Sequence, residues 1–202
     1  MFPEKLESDR LRFERLSRES TDLHELYEVL GANPDADDVF EYLDSDPHRT
    51  VRETFEKREN AGDSASGGEW VQYAIRPKPP EDGAGEIAGI AGLYPKWDRR
   101  FATLGITLDK RFWGRGYSPE RAVVFLELAF ERLDLELVAV KYIDGNEKSR
   151  RAIEKYVDRF NGQYEGLFRN LLAVNGDVFD CHRYSIHRAQ YERSKRNVIV
   201  PI

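Results

Sequence analysis

The residues best suited to chemistry lie together in one stretch, Leu108-Asp109-Lys110-Arg111-Phe112-Trp113-Gly114-Arg115-Gly116-Tyr117-Ser118-Pro119-Glu120. Glycines at alternate positions leave the backbone bare, so several N–H groups can face one concavity. A helix starting near Ser118 adds the positive end of its dipole. Ser118 suits the N-cap, Pro119 the first helical position, and Glu120 complements the dipole. Arg111 and Arg115 add charge. This is the chemistry of an anion site that fits a pyrophosphate. A Walker loop is excluded, because no Lys-Ser or Lys-Thr follows the glycines. A Rossmann fingerprint is excluded too: Gly114-Arg115-Gly116 has no third glycine in place and lies mid-chain. A plain tight turn is the alternative use of the two glycines.

A strand must deliver this loop and a helix must receive it. Phe101 to Leu108 alternates as a strand, and Ala122, Phe125, Leu126, Ala129 and Leu133 give the following helix a wide apolar face. Leu135 to Ile143 reads as a buried central strand, and Asn146 to Tyr156 as a second helix. Gln163 to Val174 and Val178 to Ile186 form two strands about the turn Asn175-Gly176, and the basic tail from His187 is helical. Upstream, Leu11, Phe13 and Leu16 mark a first strand. Ser20 or Thr21 caps a helix that Gly31 stops, and residues 48–60 form another, highly charged helix. Residues 61–68 form a loop. Trp70 to Ile75 and Glu86 to Leu93 are strands joined through the turn Asp82-Gly83. The order predicts a single mixed sheet of the α+β or α/β class in one domain, residues 1–202.

The composition narrows the partners. The 202 residues carry a net charge of −6, which argues against a general nucleic-acid binder. Arg outnumbers Lys by 22 to 9 among many acids, a balance suited to concentrated salt. Six acids and no base fall between Asn33 and Pro47, a solvated loop or an attractor of cationic substrates. Cys181 is the one cysteine, which allows no internal disulfide and no cysteine metal cluster. The four histidines have no metal-ligand spacing, so no metal is expected. No apolar run is long enough to span a membrane, and the first residues lack a signal-peptide layout, which predicts a soluble cytoplasmic protein.

The spacing R-x-x-G-x-G between a strand and a helix resembles the coenzyme A pyrophosphate loop of the GNAT superfamily of N-acetyltransferases. The wider pattern is similar to its Rim-type branch, named for ribosomal-protein N-terminal acetyltransferases. It includes Leu104-Gly105-Ile106-Thr107-Leu108, Trp113-Gly114-Arg115-Gly116-Tyr117, Glu120-Arg121-Ala122, and Asn146-Glu147-Lys148-Ser149 with Arg151, Glu154 and Lys155. The opening Ser8 to Phe13 and the terminal hairpin fit the same branch. The resemblance implies an acyl-CoA N-acyltransferase fold, mostly antiparallel, with a central splayed strand pair flanked by helices. It implies acetyl-CoA as cosubstrate. The pantetheine arm would pair with backbone near Ile106 and Leu108. The phosphates would meet Arg111 and Trp113 to Ser118, and Asn146 would touch the coenzyme arm. Ser149 would sit near the sulfur, where its hydroxyl could stabilise or protonate the leaving thiolate.

The chain departs from the family in three places. Ile153 stands where many members carry a Tyr acid, while Tyr156 faces the core. Thr103 and Leu104 stand where relatives often have an acid. Val157 to Asn161 adds residues to a tight turn. The general base is therefore open among Glu86, Glu165, Asp180 and His182. Asp180 and His182, two apart on one strand, share a face and could relay protons. Trp70, Tyr73, Tyr94 and Trp97 could line an acceptor entrance or fill the core. An α-amine is partly neutral near pH 7 whereas a lysine amine is not, so the missing base favours an N-terminal α-amine. A protein N-terminus, of the ribosomal-protein type, is the first expected acceptor. A small amine (antibiotic, polyamine or amino acid) and a non-catalytic acyl-CoA-binding module are the alternatives. The oligomeric state stays open, a homodimer included.

Overall fold

The chain was described from a computed structural model, which covers residues 2–16, 24–26, 70–174 and 177–198. The acidic stretch 33–47, the helix expected over 48–60, the loop 61–68 and the turn Asn175-Gly176 lie outside the described residues, as does most of the helix expected before Gly31. Eight strands hydrogen-bond in the order β1-β2-β3-β4-β5-β6-β8-β7, one mixed sheet in which β5 and β6 pair parallel. They are β1 (Lys5–Glu7), β2 (Leu11–Arg15), β3 (Val71–Pro77), β4 (Gly89–Lys96), β5 (Phe101–Leu108), β6 (Leu137–Ile143), β7 (Gln163–Val174) and β8 (Asp177–His187). Among the described residues, 24–26 are helical, and the helices after them are α1 (Tyr117–Glu127, extended by a π turn, Leu128–Arg132), α2 (Glu147–Arg159) and α3 (Arg188–Val198). The short strand β1 has too few residues to show a period in the sequence.

The chain divides into two compact units, and neither is one continuous piece. The first comprises residues 1–93 and 105–117. Here β1, β2, β3 and the start of β4 pair antiparallel in succession. Leu11 and Phe13 are fully buried and Arg12 between them is exposed, as the alternation predicts. Leu16, Leu26, Ala74 and Ile87 form a buried cluster that Ile90 extends.

The second unit comprises residues 94–104 and 118–202. In it β6 pairs parallel with β5 through Phe101–Leu104 and antiparallel with β8 along its whole length. The β5–β6 ladder pairs Phe101–Leu104 with Leu137–Val140, although β6 runs on to Ile143 and β5 to Leu108. Helix α2 buries Ile153, Tyr156 and Val157, one helical stripe, and packs on β6 and β8. Each such buried aliphatic side chain contributes roughly 1.5–3 kcal/mol to the fold. Helix α1 is buried more widely than its stripe predicts, since Leu128 and Phe130 join Phe125, Leu126 and Ala129 inside.

Candidate functional site

In the first unit, β5 ends at Leu108 and the chain turns at once. Asp109 is buried, its N–H donates to Ala88 O (2.9 Å), and its carboxylate accepts the Arg111 N–H (2.8 Å). That cap starts a 3-10 turn, Lys110–Phe112. The Trp113 indole N–H donates back to Leu108 O (2.8 Å), and buried Phe112 stacks on Tyr117. The loop between Trp113 and Tyr117 is thus pinned at both ends.

Gly114 (φ 77°) and Gly116 (φ 82°) take left-handed conformations, and Arg115 between them does not. Alternation of this kind turns successive N–H groups toward one point, a backbone nest for an anion. Among the described residues, the N–H groups of Gly114, Arg115 and Gly116 have no acceptor. A Cβ on Gly114 would meet nothing within 4 Å, so the mouth is open there. Helix α1 begins at Tyr117, one residue before Ser118. The expected cap is corrected accordingly: Gly116 takes the N-cap place. Pro119 stands third in the helix, still in the turn whose N–H groups have no intrahelical acceptor.

Both loop arginines are already engaged. Arg111 reaches Glu86 (3.2 Å) and Asp109 (3.3 Å). Arg115 donates to Asp82 through its carbonyl (2.9 Å) and carboxylate (3.1 Å), and the Asp82 hydrogen bond holds its guanidinium more firmly protonated. Arg10 donates to Arg115 O (3.0 Å) and lies over the Tyr117 ring. Burial, then the hydrogen bond to Glu81, raises the Tyr117 phenol. Glu86, a base candidate, is spent on Arg111. Tyr73 is buried with its hydroxyl on Pro3 O, a core residue.

In the second unit, Asn146 is the N-cap of α2, and its side chain accepts the Ser149 N–H (2.9 Å). The Ser149 hydroxyl is half-buried and has no partner among the described residues. Asp180 and His182 are not linked. Asp180 accepts the Asn170 N–H (2.8 Å) where β7 bulges. His182 instead joins Asp144 at Nε2 (2.9 Å) and the Tyr164 hydroxyl at Nδ1 (2.8 Å), with Tyr142 stacked on its ring. Asp144 can only accept, so Nε2 carries the hydrogen and Nδ1 accepts from Tyr164. Glu165 pairs with Arg183 (2.7 Å) and lines a cavity of about 390 Å³ with Ser185, His187 and Arg193. Tyr184 donates to Glu154 (3.0 Å); burial first, then that bond, raises its phenol. Tyr156 is buried, and burial pushes it up to about 12. Sequence pattern gives Arg10, Asp82, Asp144 and Tyr164 no role in a site. The local signals are only turns: Asp82-Gly83, and the Asp144-Gly145-Asn146 turn leading into α2.

The model of the acetyltransferase (GNAT) domain matches residues 10–156. The chain belongs to the GNAT acetyltransferase family. Its relatives include "Putative ribosomal N-acetyltransferase YdaF" of Bacillus subtilis (strain 168), 35% identical over 113 residues. That alignment spans 55% of this chain and 59% of the relative. "Uncharacterized N-acetyltransferase p20" of Bacillus licheniformis is 22% identical over 189 residues, 93% of this chain and 98% of the relative. A solved GCN5-related N-acetyltransferase from Brucella melitensis has the same fold at a TM-score of 0.73 and 22% identity, covering 95% of this chain and 82% of its own. So does a spermidine N-acetyltransferase chimera from Vibrio cholerae, at 0.68 and 17%, covering 90% and 98%. Enzymes of this family use acetyl-CoA, and the residues between β5 and α1 suit its diphosphate: free N–H groups, an open mouth and no acid among the loop's own residues 110–117.

Proposed function

We propose that this acetyltransferase moves an acetyl group from acetyl-CoA to the α-amine of a protein N-terminus, of the ribosomal-protein kind. The observation that carries the coenzyme half is the nest of three unpartnered N–H groups at Gly114, Arg115 and Gly116. They would hold diphosphate oxygens, with the dipole of α1 behind them. The backbone of β5 at Ile106 and Leu108 would pair the coenzyme arm, and Asn146 would contact that arm, as the family resemblance implies. The acceptor nitrogen attacks the thioester carbonyl, the C–N bond forms, and the C–S bond breaks. The uncommitted Ser149 hydroxyl would donate to the departing thiolate. Of the titratable candidates, Glu86, Glu165 and Asp180 already have partners that use their charge or lone pairs. His182, which Asp144 orients, would take the amine's proton at Nδ1 in place of the hydrogen bond it accepts from the Tyr164 hydroxyl. The named likeness to a ribosomal N-acetyltransferase supports the α-amine acceptor, and the net charge of −6 would attract basic ribosomal proteins.

The alternative is a small polyamine, which the likeness to a spermidine acetyltransferase fold favours. The test has two arms. Acetyl-CoA at a hundred times its Kd should stabilise the protein by about 2.7 kcal/mol, and Gly114→Asp with Gly116→Asp should remove that gain. Thiol release is then followed with ribosomal N-terminal peptides and with spermidine. Faster turnover of spermidine than of every peptide overturns the N-terminal acceptor. Binding with no turnover makes the chain a coenzyme-binding module.

A further inference from the structure

The second unit holds a cavity of about 390 Å³, within the size range of small-molecule sites. The sheet supplies most of its lining. Ser185 and His187 stand on one face of β8, and strand pairing sets Gln163 opposite Ser185 and Leu137 opposite His187. Glu165, where β7 shifts register, lines the same cavity, and Arg193 adds to it from α3. Leu137 opens β6, whereas Asn146 and Ser149 follow its other end, about 20 Å along the strand.

Three donors here have nothing to bind. Ser185 is only 3% exposed, yet its hydroxyl has no hydrogen-bond partner among the described residues. A buried hydroxyl is ordinarily partnered, and leaving it so costs free energy. The Arg193 Nε donates to Ala189 O (3.1 Å), while its two terminal nitrogens have no partner among the described residues. The Gln163 amide is uncommitted in the same sense. An acceptor of opposite charge is present too: Glu165 meets Arg183 through Oε2 (2.7 Å), which leaves its other lone pairs able to accept. The first N–H groups of α3 are already taken, Arg188 by Glu136 O (2.9 Å) and Ala189 by His187 Nδ1 (3.2 Å). That helix therefore contributes its dipole rather than its N–H groups.

We infer that this cavity is a second binding site, and that its ligand is a free α-amino acid. The carboxylate meets the terminal nitrogens of Arg193, whose planar fork matches it, and the Ser185 hydroxyl. The ammonium meets Glu165 and the Gln163 amide oxygen. A plain anion would set its charge against Glu165, and a plain amine would leave Arg193 unanswered; a small zwitterion satisfies both. None of these groups takes part in the acetyl transfer proposed above.

The test is an NMR titration of the full chain, without coenzyme, using three matched probes: L-alanine, propionate, which lacks the ammonium, and ethylamine, which lacks the carboxylate. L-Alanine should move the backbone amide signals of Gln163, Ser185, His187 and Ala189 with a Kd on the order of 1 mM. Propionate and ethylamine should each bind at least about fivefold more weakly, since each lacks one charged, hydrogen-bonded end. Arg193→Gln should weaken L-alanine binding at least about tenfold, and Ser185→Ala about fivefold. The Ser185 hydroxyl has no partner to lose, so Ser185→Ala should keep its Tm within about 2 °C of the unaltered protein. A larger fall in Tm shows that the hydroxyl is bonded within the fold, and overturns the site. So does the absence of these shifts at about fifty times the expected Kd, or a set of shifts elsewhere in the chain. Variants that bind L-alanine as the unaltered chain does overturn it as well. If propionate or ethylamine falls within that fivefold limit, the cavity does not select a zwitterion, and the amino-acid assignment falls.

Discussion

Replacing Gly89 with alanine tests how tightly β4 and β5 are matched where the coenzyme arm would lie. Gly89 has φ 155°, and a Cβ there would stand 2.1 Å from Thr107 O, 2.9 Å from Leu108 Cα and 3.1 Å from Leu108 Cδ2. Two of these atoms are backbone and cannot rotate away. The end of β5 must retreat by about 1 Å or more to restore ordinary contact. Overpacking of this kind costs roughly 1–3 kcal/mol. The neighbouring bond from the Asp109 N–H to Ala88 O, which pins the start of the loop, stretches with it and adds about 1 kcal/mol. The sum is about 3 kcal/mol, and for a chain of this length that is a Tm lower by about 6–12 °C. Gly114→Ala is the matched comparison: its φ is positive too, but a Cβ there meets nothing. Strain alone should then cost about 1 kcal/mol, or about 3 °C. Thermal melts followed by circular dichroism measure both. Acetyl-CoA titration adds a second readout, because a displaced Ile106–Leu108 edge should bind the coenzyme arm poorly. A Gly89→Ala melt within about 2 °C of the unaltered protein, or no worse than Gly114→Ala, would refute the close approach.

Other expectations are independent of that contact. Ser149→Ala should lower kcat about tenfold, within the range of a lost proton donor, and leave acetyl-CoA affinity unchanged; a matching loss of affinity would make Ser149 a binding residue instead. Tyr156 is raised from its ordinary value to about 12 by burial, so its folded form holds the proton longer than the unfolded chain does. That contribution is fully present below about pH 10 and fades as the pH climbs to about 12, an alkaline loss of about 2–3 kcal/mol that Tyr156→Phe should flatten in guanidinium melts run across pH 8–12. Tyr184 and Tyr191 are raised as well, each first by burial, and steepen the same limb. Cys181 is buried and its thiol is pushed up by burial, so iodoacetamide should label the native protein at least about 100-fold more slowly than the denatured one. Rapid native labelling would place Cys181 at the surface.

Local signals were legible where the physics is local. The alternation of β2 and the start of α2 near Asn146 depend on residues within a few positions, and each stands where its spacing puts it. The loop was legible for the same reason, since Gly114 and Gly116 bring their own conformational freedom. The partners of charged side chains were not. Arg115 answers to Asp82, 33 residues away, and His182 to Asp144, 38 residues away. Nothing in the spacing of either pair announces it, because the sheet, not the sequence, makes them neighbours. The Asp180–His182 pairing shows the converse. Adjacency along β8 suggested a relay, but the bulge in β7 turned the Asn170 N–H onto Asp180 and occupied it. Arg121 was hidden by its type: an arginine beside an apolar stripe reads as solvated, and only the burial of α1 on several sides encloses it.

The arginine excess therefore has a different meaning from the one its count suggests. Arg111 and Arg115 flank an anion loop, yet each is neutralised by carboxylates from the turn before β4 or from the loop's own cap. A loop that relied on those two side chains would have to break its ion pairs before it could hold a phosphate. One that relies on its backbone keeps them, because they brace the loop in the shape that presents the three N–H groups. Surface ion pairs of this kind are worth little to stability, but they fix where the backbone points. The charge that remains for an incoming diphosphate is then that of the aligned N–H dipoles. In a chain with a net charge of −6, that is how a local anion site can persist beneath an acidic average.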